Sequence, residues 1–229
     1  MDAARNAGAT VLALAVLTMA PAVTRADDQE ELRKIWTDPV HQQHLVHVAG
    51  LSTVLLQNPC PAAQFALEDR FIVYERPVFD AANGIVAGAW KRSVVADGCG
   101  AKRVLNVIVR VSGPNSLSVT PALPGTTHAD PVLQKDAVKI VVSAAATAPG
   151  AREPGECHVG YVADTEFIER ETGVLPGARG PSWRERWTLV SCTRRIEVPV
   201  RFIPDATGTS ISAGPSTDVK VVPIPAEPR

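Results

Sequence analysis

A chain of 229 residues is long enough for one large domain or two small ones, and its 45% apolar and 21% charged content is ordinary for a globular protein. A net charge of −1 provides no basic field for nucleic acid and no acidic field for a cation buffer. Aromatic residues make up only 5%, which leaves Val, Ile, Leu and Ala to build the core.

The chain opens with the pattern of an export signal. Arg5 gives a modest positive start, residues 7–22 are apolar, and Thr24-Arg25-Ala26 is an acceptable cleavage site, so residues 1–26 read as a signal peptide. The apolar run is too short and wrongly flanked for a stable span, and nothing after it is long and apolar enough to cross a bilayer. In an oxidising compartment, Cys60, Cys99, Cys157 and Cys192 predict two disulfides. There is no Cys-x-x-Cys and no common zinc spacing.

After a charged lead, Asp38-Pro39 starts a helix predicted over 39–56, with Leu45, Val48, Ala49 and Ser52 on one face. Asn58-Pro59-Cys60-Pro61 stops it. Strands are expected at 71–79, 85–95, 103–111 and 116–120. With Asn83-Gly84 as a two-residue turn, Pro77 should oppose Trp90 and Glu75 should oppose Arg92. In the third strand Leu105, Val107, Val109 and Val111 share the core face.

Residues 121–127 read as a linker, after which the programme restarts. Asp130-Pro131-Val132 echoes Asp38-Pro39-Val40 and opens a helix over 131–146 with Ala137, Ile140, Val141 and Ala144 inward. Cys157 follows Cys60, Glu169 follows Glu75, Trp183 and Cys192 follow Trp90 and Cys99, and Arg201 follows Arg110, at offsets between 91 and 97. A last strand is expected at 209–213. The predicted organisation is therefore a first unit at 27–125, a second at 126–213 and an extended, mobile Pro-rich tail at 214–229. The fold class is α+β: two tandem units, each a helix and an antiparallel meander, cystatin-like in topology but without the Gln-x-Val-x-Gly inhibitory loop. One disulfide per unit, Cys60–Cys99 and Cys157–Cys192, is favoured, with the cross-unit pairings open. Pro199, which has no N–H, predicts an edge or a bulge in the second unit.

Three sets of residues carry candidate chemistry. His41, His44 and His47, three apart on the first helix, are metal-ligand candidates, although that spacing drifts by about 120° around the helix and also suits a solvated polar face. Glu75, Arg110, Glu169 and Arg201 are ligand-binding candidates on an open sheet face, or cross-strand ion pairs. Trp90 and Trp183 would stack on a ligand if open and would otherwise be core. No Gly-x-Ser-x-Gly, His-Glu-x-x-His, P-loop or dinucleotide fingerprint is present, so no catalytic residue is assigned and no cofactor is implied.

Residues 187–211 (WTLVSCTRRIEVPVRFIPDATGTSI) place Trp, Cys, Val-x-Val-x-Phe, then Asp and Gly-Thr in order. Over these 25 or so residues the chain resembles uncharacterised secreted proteobacterial proteins. The resemblance implies an exported, Cys-containing β-meander, and it carries over no functional residue. The expectation from sequence is a periplasmic or secreted binding or scaffold protein of the bacterial envelope, acting on another protein or a small ligand. A hydrolase-like enzyme with its site between the units, and a metal-binding protein using the three histidines, are the alternatives.

Overall fold

A break at residues 51–52 divides the first helix into α1 (Pro39–Gly50) and α2 (Thr53–Gln57). Ser52 stands in extended backbone at φ −61°, ψ 144° as the N-cap of α2, so the single helix expected over 39–56 is a bent pair. Gly50, which loses most entropy in a helix, sits at the bend. The computed structural model describes residues 32–33, 39–82, 84–114, 116–151, 160–173, 175, 177–191 and 193–224. The predicted signal peptide, Cys157, Cys192 and Asn83 lie outside the described residues.

The chain then forms an antiparallel sheet of β1 (Gln64–Phe79), β2 (Ile85–Gly98), β3 (Ala101–Val111) and β4 (Leu117–Ala122), in that order. After it come α3 (Pro131–Thr147) and a second antiparallel sheet of β5 (Gly160–Arg170), β6 (Trp183–Ser191), β7 (Arg194–Pro204) and β8 (Thr209–Ala213), with β9 (Lys220–Pro223) also on β7. This is an α+β fold in which strands dominate. No helix among the described residues is long and apolar enough to cross a membrane.

Each sheet buries one face under a helix. Leu45, Val48 and Ala49 of α1 pack over Phe71, Trp90, Leu105, Val107 and Val109. Ala137, Val141 and Ala145 of α3 pack over Trp187, Val198, Val200 and Phe202, small side chains over large ones. The buried face of α3 runs through 134, 137, 141 and 145, turned slightly from the face expected. Asp130 caps α3, its carboxylate accepting from the N–H groups of Val132 (2.8 Å) and Leu133 (3.0 Å). The Cys60–Cys99 disulfide ties the end of α2 to the β2–β3 turn across a separation of 39 residues, a closure worth about 4 kcal/mol by chain entropy.

Several expectations change. The β1–β2 connection is closed by Asp80, whose N–H donates to the Gly84 carbonyl and whose Oδ1 accepts from Ala82 and Gly84 N–H. Register shifts around Pro77, which cannot donate to the ladder, then place Val73 opposite Trp90 and Ala89 opposite Glu75, not Pro77 and Arg92. Pro199 lies on an inner strand, but at a local free edge of it. It pairs with Arg186 on one side, and on the other it falls in the gap between β8 and β9, where its carbonyl accepts from Gly214 N–H (3.0 Å). The tail expected to be mobile is docked as far as it is described, because Val219 and Val221 join the second core and β9 fills the free edge of β7.

The β2–β3 and β6–β7 hairpins share one register at a constant offset of 93. Trp90 opposes Val109 as Trp183 opposes Phe202, and Gly98 opposes Ala101 as Ser191 opposes Arg194. In that frame Arg201 matches Ile108, so its sequence match to Arg110 is displaced by two residues. Likewise Glu169, opposite Arg184, matches Ile72, opposite Lys91, and not Glu75.

Candidate functional site

The segment expected to be a plain linker is irregular backbone with a buried middle. Pro124, Gly125, Thr127 and Ala129 are buried. On the first sheet's side, Gly125 N–H donates to the Val104 carbonyl (2.7 Å). The Asn106 amide donates to the carbonyls of Leu123 (2.7 Å) and Gly125 (2.9 Å), and the Lys91 ammonium donates to the Thr127 carbonyl (2.7 Å). On the other side, Thr126 N–H donates to the Thr165 carbonyl (2.5 Å), the Thr165 hydroxyl donates to the Pro124 carbonyl (2.5 Å), and Phe167 N–H donates to the Thr126 hydroxyl (2.9 Å). Backbone polar groups that water would otherwise satisfy are paired with both sheets, which joins them without strand-to-strand pairing. Asn106 and Ile108, on the face of β3 away from α1, are buried for this reason.

Gly125 permits the close approach. Its φ is +96°, and a Cβ there would lie 2.0 Å from the Thr165 carbonyl oxygen and 2.4 Å from an Asp164 carboxylate oxygen. Burial pushes the Asp164 carboxyl up, against the opposing pull of the Thr165 N–H. Across the junction the Tyr74 hydroxyl is buried with no hydrogen-bond partner among the described residues. Its burial, then the carboxylates of Asp130 and Glu185, push that phenol well up.

Beside the junction opens a cleft of about 550 Å³ walled by β3 and β4 on one side and by α3 and β5 on the other. Ile108, Leu123, Pro124 and Val138 supply its apolar surface, and Tyr161 of β5 and Thr120 of β4 add hydroxyl-bearing side chains. Its charged lining is Arg110 from β3 and Lys135 from α3, with no carboxylate or imidazole among the lining residues. Arg110 donates from Nη1 to Glu75 at 2.8 Å in a half-exposed pair. Sequence reasoning found Arg110 and missed Lys135 and Tyr161. Their only signal was position, since nothing in sequence brings the first turns of α3 beside β4.

A second, shallower basin of about 370 Å³ is lined by Glu169, Arg170, Glu171, Ser182 and Arg201. Here the charges answer one another. Arg201 donates to Glu171 Oε2 from Nε (3.0 Å) and Nη2 (2.6 Å), Ser182 donates to the same oxygen, and Arg184 pairs with Glu169. The Arg201 and Ser182 hydrogen bonds hold the Glu171 carboxyl below the usual range. The four Glu and Arg candidates thus divide between two places: Glu75 with Arg110 at the cleft, Glu169 with Arg201 at the basin.

Trp90 is fully buried beneath α1 and offers no face to a ligand. Trp183 stacks on Phe202 (ring centroids 4.8 Å apart) and donates its indole N–H to Glu185, which makes it a lid on the second core. His41, His44 and His47 are exposed on α1, and no group of three or more His, Cys, Asp or Glu side chains among the described residues is placed to hold a metal ion. Comparison with protein-family models, curated proteins and solved structures finds no match.

Proposed function

We propose that the chain is an exported, non-catalytic binding protein of the bacterial envelope whose ligand enters the cleft between the two units. The observation that carries this reading is the cleft itself: a concave surface of about 550 Å³ that neither unit makes alone, apolar with a few polar groups, within the roughly 300–1,000 Å³ usual for small-ligand sites. Its lining has no carboxylate or imidazole to serve as general acid or base, which weighs against the enzyme alternative at this place. The Cys60–Cys99 disulfide and the signal-like residues 1–26 support export to the periplasm or beyond. The shared offset of 93 in the two hairpins supports an origin by duplication of one helix-plus-meander unit, with the cleft arising where the copies meet.

Native mass spectrometry of protein recovered from the periplasm tests the reading. A retained small molecule is expected, and Val138→Trp, which fills the cleft from α3, should abolish its retention while the thermal midpoint stays within a few degrees. Retention unchanged in Val138→Trp would place the ligand elsewhere and sink the reading.

A further inference from the structure

We infer that the cleft takes a small amphipathic anion, an apolar body carrying a carboxylate or phosphate head. This rests on the cleft being the binding site, and it follows from the sign of the charge around it. Arg110 spends one N–H on Glu75, and the other N–H groups of its guanidinium have no partner among the described residues. Lys135 stands exposed in the second turn of α3 with no ion-pair partner among the described residues. Two cationic donors therefore border a concavity that has no carboxylate in its own lining; Glu75 offsets part of the Arg110 charge from outside that lining, and Lys135 leaves the rim with net attraction for an entering anion.

The neutral lining specifies the rest of the ligand. Ile108 and Thr120 face each other across β3 and β4, and Leu123, Pro124 and Val138 continue the surface toward α3. A freely soluble inorganic anion would leave this surface wet. An apolar chain or ring gains about 25 cal/mol for each Å² it removes from water there, while the head stays at the cationic rim. The Thr120 hydroxyl lies on the same sheet face as Arg110 and can donate to a head group, whereas the Ser118 hydroxyl beside it donates to the Arg110 carbonyl (3.5 Å). The basin at Glu169 and Arg201 differs in this respect, because carboxylates, Glu169 and Glu171, belong to its own lining and Glu171 already pairs with Arg201.

Calorimetric titration of the full exported chain with decanoate, decyl phosphate, decanol and decyltrimethylammonium separates the possibilities. The two anions should bind, with decanol and the ammonium at least roughly tenfold weaker. Lys135→Glu should weaken both anions by roughly tenfold and leave decanol unchanged. Ile108→Asp, a second variant from the other wall, should weaken decanoate, decyl phosphate and decanol and should weaken decyltrimethylammonium least, because the new carboxylate attracts its head. Equal binding of decanol and decanoate, together with no effect of Lys135→Glu, would overturn the anion preference and leave the cleft reading standing. Binding of decanoate that survives both Ile108→Asp and Val138→Trp would overturn the cleft as its site as well. If decyl phosphate binds and decanoate does not, the head is a phosphate; the reverse result makes it a carboxylate.

Discussion

The two hairpins place a buried charge at the same point, and the charges have opposite sign. Arg92 on β2 opposes Phe71 and Val107, and Glu185 on β6 opposes Phe167 and Val200. Arg92 is 5% exposed and Glu185 is 1% exposed. In the first unit the guanidinium lies over the Phe71 ring, 4.2 Å from its centroid, and donates to the Glu68 carbonyl at 2.9 Å. The negative face of an aromatic ring attracts a cation. A carboxylate would be repelled there, and Glu185 instead draws on ring edges: the Trp183 and Trp187 indole N–H groups donate at 2.9 and 2.8 Å. Phe167, released from that role, stacks on His128 at 4.0 Å between ring centroids. One position on one kind of sheet tolerates either sign once the aromatic chemistry around it changes to match.

The two solutions differ in completeness. Glu185 accepts three N–H bonds, the third from the His128 backbone at 2.8 Å, which ties the second core to the junction. Arg92 has a buried Nε with no partner among the described residues, and burial lowers its pKa despite the nearby Asp69 carboxylate. Removing Glu185 should therefore cost far more. Glu185→Ala orphans three donors and is expected to lower stability by about 4 kcal/mol, and Glu185→Gln, which keeps one acceptor oxygen, by about 2 kcal/mol. Arg92→Met, which keeps the aliphatic packing over Phe71, should cost about 1 kcal/mol or less. Urea denaturation of the three variants checks this, and equal losses for Glu185→Ala and Arg92→Met would end the distinction.

A second contrast of intermediate size lies between two glycines. Gly125 at the junction and Gly100 in the β2–β3 turn both have positive φ, +96° and +74°. A Cβ at Gly100 meets nothing within 4 Å, so Gly100→Ala bears only the backbone cost, about 1 kcal/mol. Gly125→Ala adds a clash with the backbone of β5 and should cost about 3 kcal/mol. Hydrogen exchange should show the extra loss at the amides of Gly125, Thr126 and Phe167, which bridge the units, and not within β2 or β3. Uniform loss across the first sheet would mean that the junction is not a separable element.

These contrasts mark what the sequence could and could not disclose. The Asp130-Pro131 cap and the alternation from Leu105 to Val111 were legible because each depends on neighbours or on a fixed period, and the Cys60–Cys99 pair because cysteine itself announces a bond whatever the separation. The buried junction was not, because Pro, Gly and Thr in residues 121–127 signal a loop. What buries that loop is Lys91, Asn106 and Thr165, between 17 and 41 residues away in sequence. The cleft shares that origin and was equally hidden. Identity of residue type also misled, since Arg110 and Arg201 look equivalent and are displaced by two, whereas Arg92 and Glu185 look unrelated and occupy one place.

The smallest expected effect separates the last turn of each meander. In the second unit Asp205 organises the β7–β8 turn: its carboxylate accepts from the N–H groups of Thr207 (2.8 Å) and Gly208 (3.1 Å) and from the hydroxyls of Thr207 and Ser210. The Ser210 and Thr207 hydroxyl bonds, in that order, bring its pKa down to about 2. At the same offset of 93 the first unit has Ser112, and its β3–β4 turn is held by a Ser112–Ser116 hydroxyl pair at 2.8 Å, which does not titrate in this range. A carboxyl whose folded pKa is depressed contributes stability above its unfolded value, near 3.9, and loses it as pH falls toward about 2. Acid should therefore loosen the amides of Thr207 and Gly208 while those of Ser112 and Ser116 hold. By NMR titration, Ser210→Ala should move the Asp205 midpoint up toward the ordinary aspartate range, and an unshifted midpoint would remove that hydroxyl from the turn's design.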